Sequence, residues 1–104
     1  MVVKRAYQRF IVKLPVTITA GDRTVKGTTV RVSRKGFFVR AQQSFVAGTV
    51  VEATIEFTQT VSFRLKGIVR HVRNLGLIKR DNGMGIEFIE KNQGYEEFMK
   101  NVEK

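Results

Sequence analysis

The chain has 104 residues, 42% hydrophobic and 27% charged, which is enough for one modest core and too apolar for a disordered segment. It contains no cysteine, which excludes disulfides, thiolate catalysis and cysteine-held zinc. Lys and Arg number 19 against 9 Asp and Glu, a net charge of +10. The excess is lopsided, because residues 1–40 hold ten bases and one acid while the remainder holds nine bases and eight acids. A surface positive at one end attracts polyanions such as nucleic acid, nucleotide phosphates or an acidic membrane face. No run approaches the roughly 18–20 apolar residues of a membrane span. The segment Met1–Arg9 lacks the apolar stretch of a signal peptide, so a cytoplasmic location is expected.

The dominant period is two, which predicts strands. Phe10, Val12, Leu14, Val16, Ile18 and Ala20 alternate with mostly polar residues, one half-buried strand ending at the turn Gly21-Asp22. The next run, Thr24 to Val32, starts in one register with Val25 and finishes in the other with Val30 and Val32. Gly27 lies between the two registers and predicts a bulge. A short strand from Phe37 to Ala41 follows Gly36. Val51, Ala53, Ile55 and Phe57 face one way in a fourth strand. Val61, Phe63, Leu65 and Val69 mark a long fifth that bends at Gly67, and beyond the loop Asp81-Asn82-Gly83 the residues Met84, Ile86 and Phe88 form a sixth.

Only the C-terminus changes period. Tyr95, Phe98, Met99 and Val102 fall at i, i+3, i+4 and i+7, one stripe of an amphipathic helix of about three turns that needs an apolar partner. Six short strands and a terminal helix predict an all-β domain, a six-stranded antiparallel β-barrel plus a C-terminal α-helix. The expected organisation is one domain over residues 1–104. A flexible arginine-bearing segment takes up residues 1–9, the barrel 10–90 and the helix 91–104.

Catalytic chemistry finds little support. His71 is the only histidine, and no second imidazole or thiol exists to complete a metal site. Glu52 and Glu56 share a strand face, but four residues along a strand separates them by roughly 13 Å, beyond the spacing of paired catalytic carboxylates. No nucleophile elbow or phosphate loop is present, and Gly83-Met84-Gly85 is too short for a dinucleotide fingerprint. The chain reads as a binding protein, not an enzyme, with no metal and no cofactor.

Two patterns stand out in the basic half. Arg5-Ala6-Tyr7-Gln8-Arg9 places two guanidinium groups four residues apart just before the first strand. Arg31-Val32-Ser33-Arg34-Lys35-Gly36 follows the second. With Val30 and Val32 directed inward, Arg31 and Ser33 share the outer face, and Gly36 allows a positive φ where the chain turns.

These residues resemble the PilZ family. Its first motif, Arg-x-x-x-Arg, is met by Arg5 and Arg9. Its second, Asp/Asn-x-Ser-x-x-Gly, is met by Ser33 and Gly36 but has Arg31 at its first position. The step from Arg9 to Leu14-Pro15-Val16 and the closing Gly83-Met84-Gly85-Ile86-Glu87-Phe88 are similar too, so the resemblance spans nearly the whole chain. It implies a receptor for cyclic di-GMP whose arginine segment folds over a ligand on the barrel surface, signalling to a partner protein. Arg5 and Arg9 are then the principal ligand-binding residues, with Lys4 as an added charge. Ser33 offers a hydroxyl and Gly36 a close backbone approach. Arginine suits this role because it pairs with phosphate through two parallel hydrogen bonds, reaches guanine O6 and N7, and stacks on purines.

Arg31 departs from the pattern, since guanidinium has five donors and no acceptor for the guanine N–H groups. It could add a phosphate contact or read O6/N7, and it could equally repel Arg5 and Arg9. The alternative is therefore a degenerate adaptor that binds a protein through Phe38 and the helix stripe without the nucleotide. Single-stranded nucleic acid is a weaker expectation, because most of the phenylalanines occupy core-facing positions instead of a stacking surface.

Overall fold

A computed structural model describes residues 8–73, 82–90 and 92–103. Seven strands appear in chain order: β1 (Phe10–Ile11), β2 (Pro15–Ala20), β3 (Arg23–Val32), β4 (Gly36–Arg40), β5 (Val50–Glu56), β6 (Ser62–Arg73) and β7 (Gly83–Phe88). One helix follows, α1 (Gln93–Val102). All pairings are antiparallel, in the order β1-β3-β2-β5-β6-β7-β4, and the pairing of β3 with β4 closes the sheet. The result is the expected six-stranded barrel, with β1 as a short extra strand beside the end of β3.

The predicted first strand is broken in two by a side chain. Thr29 is fully buried on β3; its hydroxyl donates to the Val12 carbonyl at 2.6 Å and accepts from the Leu14 N–H at 2.9 Å. Thr29 N donates to Leu14 O, and Val12 N to Val30 O, on either side of the break. One hydroxyl thus replaces the ladder bonds lost between β1 and β2, leaving Phe10, Val12 and Leu14 half-buried against the core.

Among the described residues two bulges are present, and neither lies at Gly27. In β3 the register shifts between Thr29 and Arg31. Val25 and Thr29 therefore face inward together, Val30 is displaced from the core, and Val32 resumes the inward series. Gly27 serves close packing instead, since a Cβ there would lie 2.4 Å from the Arg40 carbonyl oxygen. In β6 the shift falls between Val69 and His71, and Gly67 lies against Ile86 and Glu87 of β7. Gly36 is likewise a correction: positive φ among the described residues occurs at Gly21 and Gly48 alone. Gly36 is small because a Cβ there would sit 2.0 Å from the Ile86 carbonyl oxygen. Gly21, at φ 62, opens the two-residue turn between β2 and β3 as expected.

The inward residues form one cluster that includes Ile18, Val39, Ile55, Leu65, Val69, Met84 and, from the helix, Tyr95, Phe98 and Met99. Each such side chain contributes about 1.5–3 kcal/mol when fully buried. Phe57 and Val61 are exceptions, lying just beyond the strand ends and 45% and 42% exposed. The Phe57 ring still meets Phe63 and Phe98, within an aromatic group that Tyr95 and Phe88 complete. Through these rings α1 closes the barrel end where the β3–β4 and β5–β6 hairpins meet. Asn92 caps the helix by accepting from Tyr95 N at 2.9 Å and donates to the Arg64 carbonyl, anchoring α1 to β6.

Candidate functional site

Strict alternation along β3 from Val25 would send Arg31 inward, and along β6 from Val69 it would send His71 and Arg73 inward. The two bulges reverse both outcomes. Beyond each shift the polar residues face outward, so Arg31, His71 and Arg73 all line one groove on the barrel exterior. Register places these strands side by side: Ile11, Arg31, Phe38, Gly85 and His71 form a single cross-strand row. From Arg31 to His71 the row covers three interstrand steps, ~14 Å.

The groove encloses about 280 Å³. Arg9, Arg31, Lys35, Arg70 and Arg73 line it, together with Ser33, Gly36, Phe38, His71, Gly85 and Glu87. Its floor is made of rings lying on bare backbone. Phe38 and His71 stack with centroids 5.8 Å apart and planes 28° apart. A Cβ at Gly85 would meet the His71 ring at 2.5 Å, and one at Gly83 would meet the Phe38 ring at 2.7 Å. Arg73 covers Phe38 with its guanidinium carbon 5.0 Å from the ring centre.

The β3–β4 loop forms the rim. Ser33 N donates to the Gly36 carbonyl at 2.9 Å. The Ser33 hydroxyl donates to the same oxygen at 3.3 Å and accepts from Lys35 N at 3.2 Å. Its first role is to shape the turn. Glu87 is the one carboxylate lining the groove among the described residues. Arg70 Nε lies 2.6 Å and Lys35 Nζ 3.3 Å from it, and the Arg70 hydrogen bond, then the one from Lys35, holds its pKa below the ordinary carboxylate range.

This loop is also fastened to α1. The Tyr95 hydroxyl donates to the Ser33 carbonyl at 2.8 Å, and burial pushes the phenol pKa up, keeping it a neutral donor. Arg34 makes a two-pronged contact with Glu103, Nε to Oε2 at 2.9 Å and Nη2 to Oε1 at 2.7 Å.

Of the residues expected from sequence, the structure brings together Arg9, Arg31, Ser33 and Gly36. Lys4 and Arg5 lie outside the described residues, as does Asp81 of the expected loop. Phe38, Arg70, His71, Arg73 and Glu87 were not anticipated as ligand contacts. Glu87 was within reach of strand alternation, two residues beyond the outward Gly85. His71 and Arg73 were not, because the β6 bulge leaves no mark in the alternation. Among the described residues no helix is long and apolar enough to cross a membrane. Nor does any group of three or more His, Cys, Asp or Glu residues among them offer a metal site.

Known proteins share the fold. Among solved structures, the Bacillus subtilis inhibitor of motility (MotI/DgrA) is similar, with a TM-score of 0.77 and 19% identity over 97% of this chain and 50% of that one. The chain therefore spans about half the length of that protein. The PilZ domain of CeSA from a cellulose-synthesizing bacterium is also similar, with a TM-score of 0.65 and 19% identity over 91% of this chain and 94% of that one. At such identities the likeness is one of fold. No curated protein sequence matches the chain. The PilZ domain profile, however, matches residues 3–101, and the chain belongs to the PilZ domain family.

Proposed function

We propose that this chain is a receptor for cyclic di-GMP that passes the signal to a partner protein through a changed surface. The observation that carries this reading is the convergence of Arg9, Arg31, Lys35, Arg70 and Arg73 on one groove floored by the Phe38 and His71 rings. The ligand has two phosphodiester charges and two guanine bases. Guanidinium groups match the phosphates bidentately and the rings offer a face for a base. Arg5 and Lys4, on the segment preceding Arg9 in sequence, add two more cations to the proposed ligand set. Family membership supports the ligand class, and the binding role of such domains makes catalysis an unneeded assumption.

Isothermal titration calorimetry with cyclic di-GMP tests the reading, with GTP and a short oligonucleotide as controls at the same salt. Saturable binding of cyclic di-GMP alone is expected, and Arg9→Ala and Arg5→Ala should each abolish it while leaving the melting temperature unchanged. Full affinity in both variants overturns the site assignment. A second reading follows from Arg31, which cannot accept a hydrogen bond: an adaptor that binds a protein without nucleotide. Absence of heat with cyclic di-GMP at protein concentrations sensitive to micromolar affinity would favour it.

A further inference from the structure

The cations of the groove leave one chemical demand of guanine unmet. Its N1–H and N2–H₂ edge carries only donors, and guanidinium and ammonium groups also only donate. Arg9, Arg31, Lys35, Arg70 and Arg73 can hold phosphates or the O6/N7 edge, but nothing among them accepts from the donor edge. Glu87 can. Ile86 points into the core, so Gly85 and Glu87 face outward along β7. In the register Glu87 stands opposite Gly36, so no side chain from β4 covers it. Arg70 Nε and Lys35 Nζ hold the two carboxylate oxygens at 2.6 and 3.3 Å, orienting the group before a ligand arrives. A carboxylate offers about four acceptor positions, so lone pairs remain for a base. Gly85, ~7 Å away along the strand, lies between Phe38 and His71 in the cross-strand row, which brings the ring floor beside the carboxylate.

We propose, resting on the cyclic di-GMP reading above, that Glu87 is the guanine-specificity residue of the groove. Its carboxylate accepts from N1–H and N2–H of a base that lies beside His71 and displaces the Arg73 guanidinium from the Phe38 ring, while the arginines hold the phosphates. Adenine has no N2 amino group and presents an N1 lone pair instead of an N–H, so in the same pose the carboxylate loses both hydrogen bonds and faces a lone pair. Arg70 and Lys35 act here as positioning residues for Glu87.

The test compares wild type with Glu87→Gln for binding of cyclic di-GMP and of cyclic di-AMP, which share the same two phosphates and differ in the base edge. Glu87 is on the barrel exterior, and a thermal melt of each protein verifies the fold. The wild type should prefer cyclic di-GMP, and E87Q should shrink that preference about tenfold or more, the worth of a bidentate base contact. E87Q also releases Arg70 and Lys35 toward phosphate, but that change acts on both ligands alike and cancels in the ratio. A wild type that binds cyclic di-GMP while E87Q keeps the same ratio overturns the inference and leaves the receptor reading standing. A wild type that binds neither ligand overturns both.

Discussion

At Thr29 a single oxygen holds two strands in place. Its hydroxyl lies between the Val12 carbonyl and the Leu14 N–H, where the chain leaves β1 and enters β2. Valine has nearly the same shape but no hydroxyl, so Thr29→Val would leave both backbone groups without their partner. An unsatisfied buried polar group costs about 1–3 kcal/mol; the two groups here are only part-buried, so urea denaturation should register a combined loss of about 2–3 kcal/mol. Thr29→Ser keeps the oxygen and should recover most of it. Equal stability of T29V and wild type would mean that water reaches the break. The same residue marks the limit of the sequence reading. A threonine in a strand gives no sign that it will be buried, and the pattern of β3 is legible only as two registers that disagree. Glycine is the usual mark of a bulge, so the sequence points to Gly27. The shift lies just beyond Thr29 because that buried hydroxyl settles which face of β3 meets the core. Arg31 faces outward as expected, although Val30, which supported that expectation, is not a core residue.

On the scale of elements, α1 and the β3–β4 loop behave as one unit. The helix itself was plain in the spacing of Tyr95, Phe98 and Met99, since a stripe at helical period has to find an apolar face. What it is bonded to was not legible, because the Tyr95–Ser33 and Arg34–Glu103 contacts join residues more than sixty positions apart. Tyr95→Phe removes one hydrogen bond while keeping the ring, and should cost about 0.5–1.5 kcal/mol in a denaturant titration. The ion pair adds a dependence on pH. The Arg34 hydrogen bond lowers the Glu103 pKa in the folded protein. Its stabilisation is therefore complete above the unfolded carboxylate value of about 4.3 and is lost as pH falls through the lower folded value. Glu103→Gln should be less stable than wild type at neutral pH, and the two should converge as the solution is acidified below the lowered folded-state pKa of Glu103. A gap that persists in acid would assign the effect to packing of the side chain instead of its charge.

For the whole molecule, barrel closure decides where the charge goes. Sequence order put the basic excess in residues 1–40, and Arg9, Arg31 and Lys35 of the groove come from there. Arg70 and Arg73 come from the nearly neutral remainder, brought over because β7 joins β6 to β4 in the closed sheet. Linear charge counting could find the first set only. Gathering cations on one face has opposite consequences for the empty protein and for its complex with an anion. A net charge of +10 is self-repulsive, and screening relieves that strain, so added salt should raise the melting temperature of the free protein. The same screening weakens attraction to a dianionic ligand, since the Debye length falls from about 10 Å at 0.1 M to about 3 Å at 1 M. Affinity for cyclic di-GMP should therefore decline as stability climbs. The decline should be shallower than for a single-stranded oligonucleotide, whose binding releases a counterion for roughly every phosphate neutralised. Melting curves and titrations across one salt series separate the cases. A ligand affinity indifferent to salt would place the binding energy in the rings and base edges, with the arginines contributing little. A fall as steep as the oligonucleotide's would mean the groove reads charge alone.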